Sequence, residues 1–248
     1  MKKVLFFAIS LAILFSCGKS INKNISNNTN FSSYISAYTS GVISKKSVVT
    51  VKLTESIDPD KFDISKDLEK EVFSFSPSIK GKTRWVDNRT LEFTPEENLK
   101  SNTEYIVNFN LYELKDVPKE TDKFVFRFST IRQDYTFYIN GLQTPEIEKR
   151  EDQTLTGNIS FSDITDTTSV RKAISATQDG RELKITITEV SHNTKRFLIE
   201  GIKRKKRDDS EIKISFNGKN IGMETDFEEI IKVLSMESFK VTNAEVVN

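Results

Sequence analysis

Residues 73–109, FSFSPSIKGKTRWVDNRTLEFTPEENLKSNTEYIVNF, decide the fold. Phe73 and Phe75 alternate with Ser74 and Ser76 until Pro77 stops the run. Lys82 to Val86 makes a second short strand, and the Asp87-Asn88 pair turns the chain. Leu91 and Phe93 flank Glu92 in a third strand that Pro95 ends. Tyr105, Val107 and Phe109 then share one parity, with Ile106 and Asn108 on the other. Successive side chains of a strand point to opposite faces, so this alternation gives each strand one face to bury and one to leave in water. Short alternating runs punctuated by Pro, Asn and Asp predict an antiparallel β domain.

The pattern continues on both sides. Val49, Val51 and Leu53 alternate with Thr50 and Lys52, and Asp58-Pro59-Asp60 marks a turn. Residues 64–72 carry a poor signal and read as one helical turn or a loop. Phe124, Phe126 and Phe128 alternate with Val125 and Arg127 as a last strand. About seven short strands with frequent turns fit an immunoglobulin-like sandwich spanning residues 34–131. Leu99, then Lys100 to Thr103, then Tyr105 predicts a tyrosine corner, with the phenol bonded to backbone a few residues upstream. Trp85 has two readings, a core residue or a stacking platform for sugar. The core reading is preferred, because a lone aromatic in a strand is ordinarily packing.

Residues 132–238 repeat the same logic. Tyr135, Phe137 and Ile139 open a strand that Asn140-Gly141 is expected to end. Leu155, Ile159 and Phe161 share a parity around Gly157, a position suited to a bulge. The pair Thr165-Asp166 is placed to cap a short helix running to about Ile174, and Asp179-Gly180 is the next turn. Further strands follow around Leu183, Ile185 and Ile187, around Phe197 and Ile199, and around Ile212, Ile214 and Phe216, the last closed by Asn217-Gly218. The fold class is therefore all-β, with two consecutive sandwiches. The run Lys203-Arg204-Lys205-Lys206-Arg207 passes straight into Asp208-Asp209. It reads as a solvated hairpin tip in preference to a patch for lipopolysaccharide or anionic headgroups.

The start of the chain reads as an address. Lys2-Lys3 is a positive n-region, and Val4 to Phe15 is an apolar run shorter than the about 20 residues a membrane-spanning helix needs. Residues 1–16 are therefore a signal peptide. Leu14-Phe15-Ser16-Cys17 resembles the lipobox of bacterial lipoproteins, with Phe15 where a small or β-branched residue is usual. That resemblance implies cleavage before Cys17 and acylation of the new N-terminal Cys. Cys17 is the only Cys, so no disulfide within the chain can form. Asn- and Ser-rich residues up to Ser33 have little to bury, and residues 17–33 are expected to be a lipidated Cys and a flexible tether.

Net charge excludes some partners. The formal charge is +1, from 37 Lys and Arg against 36 Asp and Glu, and loss of Lys2 and Lys3 with the leader brings it to −1. Such balance implies no polyanionic partner, so nucleic acid is not expected. Eighteen Phe and six Tyr can fill two sandwich cores without disulfides. His192 is the only His, and with a single Cys the chain lacks the ligands of an ordinary zinc site and the partners of a Cys-His or Ser-His pair. Nine Gly fall singly at turns and form no phosphate loop. The adjacent carboxylates Glu96-Glu97, Asp208-Asp209 and Glu228-Glu229 would face opposite sides of a strand, or water on a turn. No catalytic, cofactor or metal residue is assigned, and an enzyme is not expected.

Several of these stretches resemble a known family. Ser40 to Ser44, the decisive stretch from Phe73, and Phe128-Ser129-Thr130-Ile131 are similar to the bacterial Ig-like domain of surface proteins. They are more closely similar to the N-terminal region of bacterial alpha-2-macroglobulin-like lipoproteins of the Bacteroidetes type. Ile214 to Gly222, then Met236-Glu237-Ser238-Phe239-Lys240-Val241, resembles the close of the second domain in those lipoproteins. The resemblance implies a macroglobulin-like second sandwich and makes residues 239–248 the first strand of a third domain. Members of that family trap proteases through a bait segment, and many carry a Cys-Gly-Glu-Gln thioester. Cys17-Gly18-Lys19-Ser20 shares only two residues with that motif and belongs to the lipobox.

The expected protein is thus a non-enzymatic, monomeric lipoprotein, anchored through Cys17 to the outer membrane and facing the periplasm. It would be the stalk or scaffold part of an alpha-2-macroglobulin-like endopeptidase inhibitor, meeting proteases or envelope proteins through downstream domains. The alternative is a complete small Ig-like lipoprotein that presents its domains to a glycan or a protein partner.

Overall fold

The computed structural model describes residues 28–58 and 62–238. The signal peptide, Cys17, the tether up to Asn27, the Asp58-Pro59-Asp60 turn beyond Asp58, and the strand expected over 239–248 lie outside the described residues. The described chain is an all-β pair of sandwiches, each made of two four-stranded sheets.

In the first sandwich one sheet has the order β1-β3-β6-β5, with β1 Ile35–Tyr38, β3 Val49–Leu53, β5 Gly81–Trp85 and β6 Thr90–Pro95. The other has the order β2-β8-β7-β4, with β2 Gly41–Ile43, β4 Phe73–Ser76, β7 Glu104–Asn110 and β8 Lys123–Thr130. The alternation read from the sequence is the alternation of burial. Tyr105, Val107 and Phe109 of β7 face in, and so do Phe124, Phe126 and Phe128 of β8 opposite them. The Asp87-Asn88 turn closes the β5–β6 hairpin, where Asp87 Oδ1 accepts the N–H groups of Arg89 and Thr90 at 2.7 Å each. Residues 64–72 form no helix; an isolated bridge of Asp67 with Arg84, the Leu68 N–H on the Thr83 carbonyl at 2.7 Å, the Asn110 N–H on the Val72 carbonyl at 2.8 Å and the buried Val72 side chain tie this loop to the sandwich. The first strand changes sheets. β1 pairs antiparallel with β3, the chain crosses over at Gly41 (φ +75°), and β2 pairs parallel with β8.

Folded structure starts earlier than the tether expected over 17–33 allows. Asn28–Phe31 is a short helix, α1, and the buried Phe31 ring packs 5.0 Å from Phe124. A single aromatic in a polar run carries no periodicity, so local patterning assigned it to the tether.

The second sandwich stacks a sheet of order β13-β14-β10-β9 on one of order β12-β11-β15-β16. Its strands are β9 Tyr135–Gln143, β10 Asp152–Phe161, β11 Ile174–Gln178, β12 Arg181–Glu182, β13 Lys184–Ser191, β14 Thr194–Lys203, β15 Ser210–Phe216 and β16 Phe227–Val233. The helix α2, Thr167–Ala173, begins at Asp166, whose carboxylate accepts the Ser169 N–H at 2.8 Å as an N-cap should. Asp179 and Gly180 both take positive φ in the two-residue β11–β12 turn. Gly157 sits where the Phe197 ring and the Tyr138 carbonyl leave no room for a Cβ, each 2.3 Å from where it would lie.

Two expectations are corrected. Asn140-Gly141 does not end β9. The strand runs on to Gln143, and Gly141 (φ +101°) sits beside a register shift that leaves Asn140 unpaired in the ladder with β10, a bulge where a turn was expected. The run Lys203 to Asp209 is not a hairpin tip either. β14 and β15 lie in different sheets, so this loop crosses from one layer of the sandwich to the other.

Candidate functional site: the joint between the sandwiches

The last strand of the first sandwich and the first of the second are separated only by residues 131–134. Ile131 donates its N–H to the Ile43 carbonyl at 2.9 Å, and its own carbonyl accepts the Ser101 hydroxyl at 2.7 Å. Ser101 Oγ in turn accepts the Gln133 N–H at 2.9 Å. The connecting backbone is thereby bonded to the loop that holds the tyrosine corner, where Lys100 N–H donates to Tyr105 Oη at 3.0 Å.

From the second sandwich, the loop after β10 supplies Asp163, which is 4% exposed. Its carboxylate accepts the Ser44 hydroxyl at 2.5 Å and the Lys45 N–H at 2.8 Å, both from the first sandwich, and the N–H of Ile164 at 2.7 Å. Gln133 is also buried, and its amide donates to Thr165 Oγ1 at 2.6 Å and to the Asp163 carbonyl at 3.3 Å. Burying a carboxylate away from water costs several kcal/mol unless hydrogen bonds replace those it loses. Three donors from two domains do so here only while the domains keep one relative placement. The joint is a polar lock, and sequence reasoning assigned none of its residues. Asp163 stands in an unremarkable Phe-Ser-Asp-Ile run, and its partners in the first sandwich, Ser44 and Lys45, lie more than a hundred residues upstream.

The residues singled out in the sequence lie elsewhere. Trp85 is a core residue of the first sandwich, 5.8 Å from Phe62 by ring centroids, and offers no exposed face for stacking. His192 is exposed on the β13–β14 turn, with Nδ1 3.6 Å from Glu189. Glu189 also meets the fully buried Lys195 at 3.3 Å, and that contact holds the Glu189 carboxyl below its ordinary range. Among the described residues, no group of three or more His, Cys, Asp or Glu is arranged to hold a metal. No helix among them is long and apolar enough to cross a membrane.

The basic run is tied into the end of the molecule opposite the joint. Arg204 donates to the Leu234 and Ser235 carbonyls at 2.9 and 2.6 Å, Lys205 pairs with Asp179 at 2.9 Å, and Arg207 lies 3.6 Å from Glu237. Asp209 accepts the Ser235 N–H at 2.8 Å and pairs with Lys232 at 2.8 Å. These bonds hold its carboxyl below the usual carboxylate range, Lys232 making the largest contribution. The loop clasps residues 234–238 instead of projecting a free cationic face.

Residues 22–130 match the bacterial Ig-like domain family. The N-terminal part of this chain is a bacterial Ig-like domain. Solved structures similar to parts of this chain include L,D-transpeptidase 3 of Mycobacterium tuberculosis with a faropenem-derived adduct, at 14% identity and a TM-score of 0.30 over 50% of this chain and 46% of that one. An L,D-transpeptidase of Mycobacterium smegmatis is similar at 10% identity and 0.29, over 79% and 72%. A marsupial T cell receptor is similar at 10% and 0.27, over 79% and 95%. The chain spans about half the length of the first of these, and likenesses at this level carry no functional argument. No curated protein matches the chain. The joint therefore ties the C-terminal end of an Ig-like domain to a second β-sandwich.

Proposed function

We propose that this chain is a non-enzymatic lipoprotein stalk, anchored through Cys17 and facing the periplasm from the outer membrane. Two sandwiches in series, joined by a buried polar lock, suit a part that must hold something at a set distance and angle. The lock at Asp163 is the observation that carries this reading. The lipobox-like Leu14-Phe15-Ser16-Cys17 supports the anchor. The similarity of residues 214–222 and 236–241 to the front of alpha-2-macroglobulin-like lipoproteins supports the finer reading, a scaffold for a protease trap of that kind. Contacts with proteases or other envelope proteins then belong to the trapping domains.

The test is fractionation of cells expressing the chain while fed labelled palmitate. The expected result is a labelled protein in the membrane fraction, with label and membrane association both lost in Cys17→Ser. An unlabelled wild-type protein, or a Cys17→Ser variant that stays in the membrane fraction, would overturn the anchor.

A further inference from the structure

Each of the four sheets ends in two edge strands, and the open backbone N–H and C=O groups of an edge can template pairing with another strand. Most of these edges are blunted. β2, β4 and β12 have four residues or fewer, and Pro77 directly follows β4. β1, β9 and β13 each carry a register shift against the neighbouring strand, and Glu189 of β13 also accepts the Thr167 hydroxyl of α2 at 3.4 Å. β5 is covered by the loop 64–72, through the Asp67 bridge to Arg84 and the Leu68 N–H on the Thr83 carbonyl at 2.7 Å. β16 is the exception. Its seven residues pair with β15 without a shift, and no strand among the described residues lies on its other side.

The outward face of β16 is arranged symmetrically. Glu228, Ile230 and Lys232 share the outward parity and all three are exposed, Ile230 at 57%. The two opposite charges flank Ile230 at equal spacing. Glu228 pairs with Lys213 of β15 at 2.8 Å, and Lys232 with Asp209, just before β15, at 2.8 Å. Each is thus the outer member of an ion pair reaching from the β15 side toward the edge. An antiparallel copy of the same strand, centred on Ile230, sets Glu228 opposite Lys232, Ile230 opposite Ile230 and Lys232 opposite Glu228. On the inward row the half-buried Phe227 falls opposite Val233. Glu229, exposed despite its inward parity, falls opposite Ile231 and not opposite its own equivalent.

We infer that β16 pairs with β16 of a second copy about a two-fold axis at Ile230, joining two four-stranded sheets into one. A two-fold contact uses the same patch on both copies, and this strand is complementary to itself. Opposite charges in directly opposed positions favour an antiparallel pair, and like charges there disfavour it. The pairing turns each exposed ion pair into a row of alternating sign: Lys213, Glu228, then Lys232 and Asp209 of the second copy. It also removes the exposed Ile230 side chain from water by setting it against its own equivalent. The chain expected from its sequence to be a monomer is then a symmetric dimer, whether or not Cys17 is acylated.

The test is sedimentation of the full chain in density-matched detergent over a concentration series, with hydrogen exchange on the same samples. The wild type is expected to dimerise, and exchange over Glu228–Lys232 to slow as the dimer forms while β7 amides are unaffected. Glu228→Lys opposes Lys to Lys twice across the axis, and Lys232→Glu opposes Glu to Glu twice. Each variant alone should therefore dimerise about twentyfold more weakly. Mixing the two variants should recover a mixed dimer of near wild-type strength, because every opposed pair in it is again of opposite sign. Exposed ion pairs contribute little to folding, so both variants should unfold thermally near the wild type, which separates loss of pairing from loss of fold. A wild-type chain that stays monomeric would overturn the inference. So would a mixture no stronger than its components, or a dimer that leaves exchange in β16 unchanged.

Discussion

The Asp163 carboxylate and the Ser44 hydroxyl, 119 residues apart in the chain, meet at 2.5 Å in a buried joint between two sandwiches. With the Lys45 N–H on the second carboxylate oxygen, this pairing makes the placement of one domain a condition for satisfying a polar group of the other. Asp163→Ala removes the acceptor and strands the Ser44, Lys45 and Ile164 donors, a loss of roughly 2–4 kcal/mol from the joint. Neither core contains Asp163, so both sandwiches should stay folded. Small-angle scattering should give a broader distribution of lengths for the variant, and a spin-label pair spanning the joint a wider distance distribution. An unchanged distribution would mean that packing, not Asp163, fixes the angle.

The tyrosine corner makes a narrower prediction. Tyr105 Oη accepts the N–H of Lys100, and that loop also carries Ser101, which accepts the Gln133 N–H at the joint. Tyr105→Phe keeps the ring stacked on Phe128 and removes only this acceptor. The expected cost is about 1–2 kcal/mol in denaturant unfolding of the Ig-like domain. Faster exchange should be confined at first to residues 100–103.

Gly157 tests the second core. A Cβ there meets the Phe197 ring and the Tyr138 carbonyl at distances real Cβ atoms do not reach, and the carbonyl cannot rotate away without breaking the sheet. Gly157→Ala is therefore expected to destabilise the second sandwich by about 2–3 kcal/mol through overpacking. Combining it with Phe197→Leu should not restore the loss, because the backbone clash remains. Thermal unfolding that resolves two transitions would see only the second one move.

How much of this was legible in the sequence depends on the range of the interaction. The inward set Tyr105, Val107 and Phe109, the bond from the phenol of Tyr105 to upstream backbone and a helix cap at Thr165-Asp166 are local patterns, and all are present, with Asp166 of that pair as the N-cap. Periodicity reports which face of a strand is buried but not which strand lies beside it. For that reason the basic run between β14 and β15 looked like a hairpin tip and is a crossover between sheets. Asn140-Gly141 shows the same limit, since a Gly at positive φ serves a bulge as readily as a turn. The joint had no local signature at all. A single Asp, Ser and Gln in polar loops become a lock only when two domains have folded around them.

The cap on α2 gives a prediction with a pH sign. Hydrogen bonds from Ser169, side chain first and backbone N–H second, hold the Asp166 carboxyl below its ordinary range. A carboxylate whose folded value is depressed stabilises the fold fully above the unfolded value of about 3.9 and loses that contribution as pH falls through the lower folded value. At neutral pH, Asp166→Ala should cost about 1 kcal/mol, the usual value of an N-cap. The gap between wild type and variant should stay constant down to about pH 5 and close progressively below pH 4, as the wild type becomes protonated and the alanine cannot. Asp166→Asn keeps an oxygen acceptor without a titrating group, so it should retain most of the cap and show a gap to Asp166→Ala that does not narrow in acid. Denaturant melts of the three proteins between pH 2.5 and 7 measure this directly. If the wild-type gap failed to close on acidification, the cap would owe its effect to geometry alone and not to the charge of Asp166.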